Sequence, residues 1–242
     1  MVRPDFPQSM PVSEVELLVF VMDGSGSMNE TNTPDGRRKA DHLYDIVKGV
    51  IERLQKSTKS DAFRVSFVYF SDSVKIEEKN GLKYFLLSDA LQLLKNPLDV
   101  TGGGSTAIAD ALATVKEILK EFSADEGLPD DKKATIFLFT DGEENVRAKD
   151  DVVNEAADLK SLSLSPTIAT ISFGSDADSN LLRTIASKPS ERQIRHLEIS
   201  NLESEIDTNY LFIEGHTGDN ELTKRKIETI RNFVEVLSMT RD

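Results

Sequence analysis

The sequence predicts an α/β protein built on a mostly parallel sheet, and three observations carry that expectation. Uninterrupted apolar runs, led by the six residues Leu17 to Met22, read as strands covered on both faces. Between them lie stretches whose apolar residues recur at helical spacing. The alternation continues through most of the chain, as parallel strands joined by crossover helices require.

In chain order, the strand at Leu17–Met22 is followed by a helix carrying Ala40, Leu43, Val47, Val50, Ile51 and Leu54 on one face, with Arg37, Arg38, Lys48, Glu52 and Arg53 outside. "FRVSFVYF", Phe63 to Phe70, is a second strand. Asn80-Gly81, centred between two short β-like runs, predicts an antiparallel hairpin at the sheet edge. Ser88 opens a short helix that ends before Pro97. A helix through Ile108, Leu112, Val115, Leu119 and Phe122 leads by the turn "DEGLPDDKK" to the strand "ATIFLFT". A helix around Val152, Val153, Ala156 and Leu159, the strand "TIATISF", a helix from Asn180 to Ser187 and a short strand near Leu197 and Ile199 follow. Ser200 to Glu203 reads as a capping box opening a helix with Leu202, Ile206 and Tyr210 on one stripe. A final helix carries Leu222, Ile227, Ile230, Phe233, Val234 and Leu237. The division is an extended leader over 1–13, a domain over 14–213 and a helical extension over 214–242.

Composition narrows the function classes. Lys and Arg number 29 against 42 Asp and Glu, a formal net charge of −13, which disfavours a nucleic-acid backbone or an anionic membrane as partner. The absence of cysteine excludes disulfides and thiolate metal sites. The first eleven residues hold three prolines and no signal-like apolar run, and no segment approaches the roughly 18 apolar residues of a membrane helix. A soluble, cytoplasmic protein is expected.

Three polar clusters fall on the rim at the carboxyl ends of the strands, where open parallel sheets bind ligands. They are "DGSGS" after the first strand, "GGGST" before the Ile108 helix and "TDGEEN" after "ATIFLF". Asp23, Ser25 and Ser27 alternate, so in an extended turn their oxygens face one point while Gly24 and Gly26 let the backbone curl. Thr106 adds a hydroxyl and Asp141 a second carboxylate. Hydroxyls and carboxylates without His or Cys are hard oxygen ligands suited to Mg2+ or Mn2+.

These residues carry a family resemblance. Asp23-Gly-Ser25-Gly-Ser27 matches the DxSxS motif of von Willebrand factor type A (vWA) domains, "GGGSTAIADAL" resembles their threonine loop and "FTDGEEN" their aspartate loop. "SFGSDADSNLLRTIAS" is similar to a later strand-helix passage, and the resemblance extends over about residues 14 to 210. It implies a doubly wound, Rossmann-like sheet with a metal-ion-dependent adhesion site (MIDAS), of the prokaryotic intracellular kind. By the motif, Asp23, Ser25, Ser27, Thr106 and Asp141 hold the metal. Between Ser105 and Thr106, the register of "TAIADAL" selects Thr106. Asp72 in "YFSDSV" is read as supporting the rim. Relatives of this kind are often coupled to AAA+ ATPases or resistance systems.

Charge gives such a site its use. Hydroxyl ligands are neutral, so the cation keeps unbalanced charge and an open position for a partner's Asp or Glu. A binding module rather than an enzyme is expected. The alternative is a metal-assisted phosphoester hydrolase with Glu143 or Glu144 as base. A haloacid-dehalogenase phosphatase would need a second Asp where Ser25 stands, and no nucleophile elbow or P-loop occurs. His42, His196 and His216 read as surface or packing residues.

Overall fold

The computed structural model describes residues 13–33, 35–174, 177–202, 206–207, 209–215 and 224–239. The leader expected over 1–13 lies outside them apart from Ser13. The strands are β1 (Glu14–Asp23), β2 (Phe63–Phe70), β3 (Val74–Ile76), β4 (Phe85–Leu86), β5 (Asp131–Thr140), β6 (Thr167–Ser172), β7 (Ile206–Asp207) and β8 (Phe212–Glu214). The helices are α1 (Lys39–Gln55), α2 (Leu87–Leu93), α3 (Pro97–Thr101), α4 (Ile108–Ala124), α5 (Lys149–Lys160), α6 (Ser179–Ile185), α7 (Glu191–Ile199) and α8 (Lys224–Met239).

The sheet runs β3-β2-β1-β5-β6-β8-β7, with β4 also paired to β2. β1 is parallel to β2 and β5, β5 to β6, and β6 to β8; the antiparallel pairs are confined to the edges. From β1 the chain moves outward to β2 and returns on the other side of β1 at β5. The strand order therefore reverses between β1 and β5, where a doubly wound sheet opens a crevice.

β1 shows why the apolar runs do not alternate. Leu18, Phe20 and Met22 enter one buried cluster with α1 and α8, while Val15, Leu17, Val19 and Val21 enter another with α4, α5 and α6. Both faces are covered, so every position favours an apolar side chain. At the β2 edge, Asn80 and Gly81 take φ of 54° and 79°, and Lys79 and Leu82 close the turn with N–H to carbonyl bonds of 3.0 and 3.1 Å. Its two flanks, β3 and β4, both lie antiparallel to β2.

Three local expectations give way. The short strand near Leu197 and Ile199 is instead α7: Ser190 accepts from Gln193 N (3.2 Å), and the Gln193 side chain accepts from Ser190 N (2.9 Å), a capping box ten residues upstream of the one expected. Leu197 is buried while Ile199 is 77% exposed, so the apparent two-residue alternation was two faces of a helix. Ser200 to Leu202 closes that helix rather than opening another. Asn201 takes φ 56°, its N–H bonds Glu198 O, and Leu202 N bonds Leu197 O, a Schellman closure. Ile206 and Tyr210 accordingly do not share a helix; the chain there forms β7 and then a turn into β8, while Glu203 lies outside the described residues.

The short helix α3 has no counterpart in the apolar periodicity of the sequence. Asn96 caps Leu98 N at 3.1 Å, Pro97 fills the first turn and Gly102 ends it at φ 79°. α8 belongs to the same core, with Ile230, Phe233, Val234 and Leu237 buried and Glu235 paired with Arg53 of α1.

Candidate metal centre

The rim is assembled at the β1–β5 switch point. Asp23, the last residue of β1, and Asp141, the first after β5, are both fully buried. A continuous chain of hydrogen bonds joins them. Ser25 N donates to Asp23 Oδ1 (2.7 Å), the Ser25 and Ser27 hydroxyls share a bond (3.2 Å), and Ser27 Oγ donates to Asp141 Oδ1 (2.6 Å). Thr106 turns inward, 3% exposed, whereas Ser105 is exposed. A Cβ placed at Gly142 would meet Thr106 Oγ1 at 3.1 Å and Ser27 Oγ at 3.9 Å, which puts both hydroxyls around one glycine. The structure thus gathers Asp23, Ser25, Ser27, Thr106 and Asp141 in one place.

Glycine makes the gathering possible. A Cβ at Gly24 would stand 2.4 Å from Thr101 Oγ1 and 2.7 Å from Pro97 O, so any side chain would push the serine turn off α3. Thr101 Oγ1 donates to Gly24 O (2.6 Å), and Gly26 N bonds Gly104 O (3.0 Å), tying the serine turn to the glycine loop. Asp72 is exposed and abuts that loop: a Cβ at Gly104 would be 3.2 Å from its Cγ, and Ser71 Oγ donates to its Oδ1 at 3.0 Å. Its carboxyl thus stands beside the glycine loop of the rim.

Four further residues shape the rim, of which the sequence singles out only Glu144, as a candidate base. Thr140 Oγ1 donates to Asp23 Oδ2 at 2.5 Å. Lys39 Nζ, on a side chain 4% exposed, reaches Asp141 Oδ2 at 2.8 Å and Glu30 Oε2 at 2.6 Å. Asn145 Oδ1 accepts from Thr106 N (2.7 Å), which fixes that threonine's backbone. Glu144 is buried and its two oxygens accept the N–H groups of Ala109 (2.8 Å), Val146 (2.9 Å) and Arg147 (2.8 Å). No local signal marks a buried lysine whose carboxylate partner lies 102 positions away, although "TDG" did place a hydroxyl beside Asp141.

Electrostatically the pocket is short of positive charge. Burial, and then the Asp141 charge beside it, push the Asp23 carboxyl up to about 7, against the lowering pull of its bonds from Thr140 and Ser25. Burial pulls the Lys39 ammonium down, but Asp141 and Glu30 more than reverse this, so its pKa is raised and it stays charged. Among the described residues no three His, Cys, Asp or Glu side chains gather at one point; the donors here are two carboxylates among hydroxyls. Hard oxygens around a charge-deficient cradle suit a hard divalent cation.

Glu143, by contrast, is exposed and paired with Lys149 (3.0 Å). His42 is buried and shares a bond with Asp35 (3.0 Å), and His196 is an exposed residue of α7 rather than of a strand. His216 lies outside the described residues.

The molecule is therefore an open, doubly wound α/β sheet with two buried carboxylates and a hydroxyl cluster at its switch point. The chain belongs to the von Willebrand factor type A domain family, which matches residues 18–208. Solved structures agree in fold. A von Willebrand factor type A protein from Catenulispora acidiphila is similar at TM-score 0.66 and 16% identity, over 95% of this chain and 44% of its own. Proximal thread matrix protein 1 from the mussel byssus, with a zinc-occupied MIDAS motif, is similar at TM-score 0.57 and 20% identity, over 94% of this chain and 46% of its own. Manganese-loaded TRAP protein of Plasmodium vivax is similar at TM-score 0.56 and 19% identity, over 92% and 74%. This chain thus spans less than half of the first two, and at these identities the likeness speaks to the fold alone.

Proposed function

We propose that this chain is a metal-dependent protein-binding module: Asp23, Ser25, Ser27, Thr106 and Asp141 hold Mg2+ or Mn2+, and a partner's Asp or Glu side chain completes the site. The observation that carries this reading is the gathering of two buried carboxylates and three hydroxyls at the point where the strand order reverses. The zinc and manganese named for two structural neighbours support a divalent cation in this fold.

The protein's own groups divide the work. Thr140 and Ser25 N orient the two oxygens of Asp23 and keep the carboxylate aimed at the rim. Ser25, Ser27 and Thr106 present lone pairs without adding charge. Lys39 offsets part of the charge of Asp141. A bound divalent ion would supply a positive coordination position open to a carboxylate.

The partner is proposed to be a protein, within a cytoplasmic assembly of the AAA+ ATPase or resistance type, with neither nucleic acid nor membrane. Residues 14–213 are taken as the domain and 214–242 as its helical extension. Among the described residues no helix is long and apolar enough to cross a membrane. Hydrolysis is disfavoured because Glu144, one of two candidate bases, spends both oxygens on backbone N–H groups. The test is retention of the protein on immobilised peptides bearing Glu, beside matched peptides bearing Gln. The reading expects retention on Glu peptides with Mn2+, release by chelator and persistence when salt is raised. Equal retention with and without Mn2+ would overturn it.

A further inference from the structure

Lys39 is the first residue of α1, and its position is unfavourable on two counts. Lysine is almost never fully buried unless paired, and an ammonium in the first turn of a helix faces the positive end of the helix dipole. Two carboxylates answer for it. Glu30 comes from the loop after β1 and Asp141 from the loop after β5, so the ammonium bridges both sides of the crevice. Gly174, after β6, leaves the room: a Cβ there would stand 3.2 Å from Nζ and 3.2 Å from Asp141 Cβ.

The two oxygens of Asp141 face different partners. Oδ1 accepts the Ser27 hydroxyl, within the donor cluster, and Oδ2 accepts Lys39. The lysine therefore draws on the charge of this carboxylate without occupying the space among the hydroxyls. We propose that Lys39 is a tethered cation that shares Asp141 with the divalent ion, weakening the ion's hold on the protein and leaving the bound ion more positive toward a partner's acid. The inference rests on the metal-binding reading above and deepens it. A lysine that only neutralised Asp141 for folding would act differently, since its removal would loosen Asp141 and lower ion affinity.

The sharing model makes two linked effects of opposite sign. Removing the positive charge beside a buried ligand favours a second cation, by at least about tenfold at the effective dielectric of a partly buried site. The same removal lets Asp141 neutralise the ion more fully, so that an added carboxylate is held several-fold more weakly.

The experiment uses the full chain, stripped with chelator, in four forms: wild type, Lys39→Gln, Lys39→Met and the charge-preserving Lys39→Arg. Mn2+ affinity is read by electron paramagnetic resonance of free Mn2+, acetate affinity on the Mn2+-loaded proteins by competition, and folding by circular dichroism and thermal melting. The expected result is Mn2+ bound about tenfold or more tightly by the Gln and Met variants, acetate bound more weakly by both, and Lys39→Arg within a few-fold of wild type. Gln and Met variants that fold only when Mn2+ is present also support the proposal, since the ion then takes over the charge the lysine carried. Folded variants with unchanged or weaker Mn2+ binding overturn it while leaving the metal site standing if wild type binds. Variants that fail to fold even with Mn2+ overturn it in favour of a purely structural lysine. No Mn2+ binding by any form removes the metal-binding reading and this inference together.

Discussion

Strand β1 carries a buried carboxylate near its start and another at its last residue, and β5 supplies a threonine hydroxyl to both. Glu16, 5% exposed, accepts from Thr135 Oγ1 at 2.8 Å; Asp23, fully buried, accepts from Thr140 Oγ1 at 2.5 Å. The local chemistry is nearly the same, but the surroundings differ. Glu16 lies at the amino end of the parallel strands, in register with Lys133 on β5. Asp23 lies at the carboxyl end, where the serine turn, the glycine loop and Asp141 converge. A buried carboxylate with a threonine partner is therefore not a site in itself. What distinguishes the rim is a second carboxylate and neutral donors brought together by the reversal of strand order.

The largest expected effect separates the two ends outright. Asp23→Ala should lower Mn2+ affinity at least about a thousandfold, roughly 4 kcal/mol, because one of two charged ligands is lost. Glu16→Ala should leave that affinity within about threefold of wild type. Calorimetric titration of both variants checks the pair, and equal losses would erase the contrast.

The next effect is a pH dependence confined to the metal-free state. The folded Asp23 carboxyl titrates near 7 and the unfolded one at 3.8, so between these values the native state holds a proton that the unfolded state has released. Native stability should therefore fall as pH rises from about 4 to 7, by up to about 4 kcal/mol at 1.4 kcal/mol per unit, and level off above. Urea unfolding in chelator at pH 5 and pH 8 measures it. Asp23→Asn should flatten the profile, and Mn2+ should bind more tightly as pH rises through 7, because the ion displaces that proton. A wild-type profile as flat as that of Asp23→Asn would contradict the charge-deficient rim.

Thr140→Val and Thr135→Val remove the hydroxyl partner at each of the two carboxylates. Each should reduce stability by about 1–3 kcal/mol, since a buried carboxylate loses a donor. Only Thr140→Val should also alter Mn2+ affinity, by about tenfold, because only that hydroxyl aims a carboxylate into the donor cluster. The smallest effect concerns the rim's scaffold. Glu144→Gln should lower the melting stability by about 1 kcal/mol through weaker acceptance from the α4 and loop N–H groups, with no more than a few-fold change in Mn2+ affinity.

Legibility in the sequence follows the same division. β1, β2 and β5 were readable because burial on both faces leaves long apolar runs, and the motif residues were readable because they cluster within a few positions of each strand end. The last third was harder. With β7 and β8 only two and three residues long, period carries little information, and Leu197 with Ile199 imitates a strand although Ser190 and Gln193 cap a helix. "SNLE" carries the residues of a helix start, yet Asn201 uses its tolerance of positive φ to end one. The roles of Lys39 and Thr140 are not legible because distant partners set them, Asp141 for Lys39 and Asp23 for Thr140, while Glu144 is legible only as a candidate base because its bond to Ala109 N joins it to another element.

The most direct measurement is anomalous diffraction from crystals grown with Mn2+. A single strong peak is expected at the β1–β5 switch point, about 2.1 Å from oxygens drawn from Asp23, Ser25, Ser27, Thr106 and Asp141, with at least one coordination position facing solvent. A rim without the peak at millimolar Mn2+, or a peak bound to other residues, would contradict the proposed metal site.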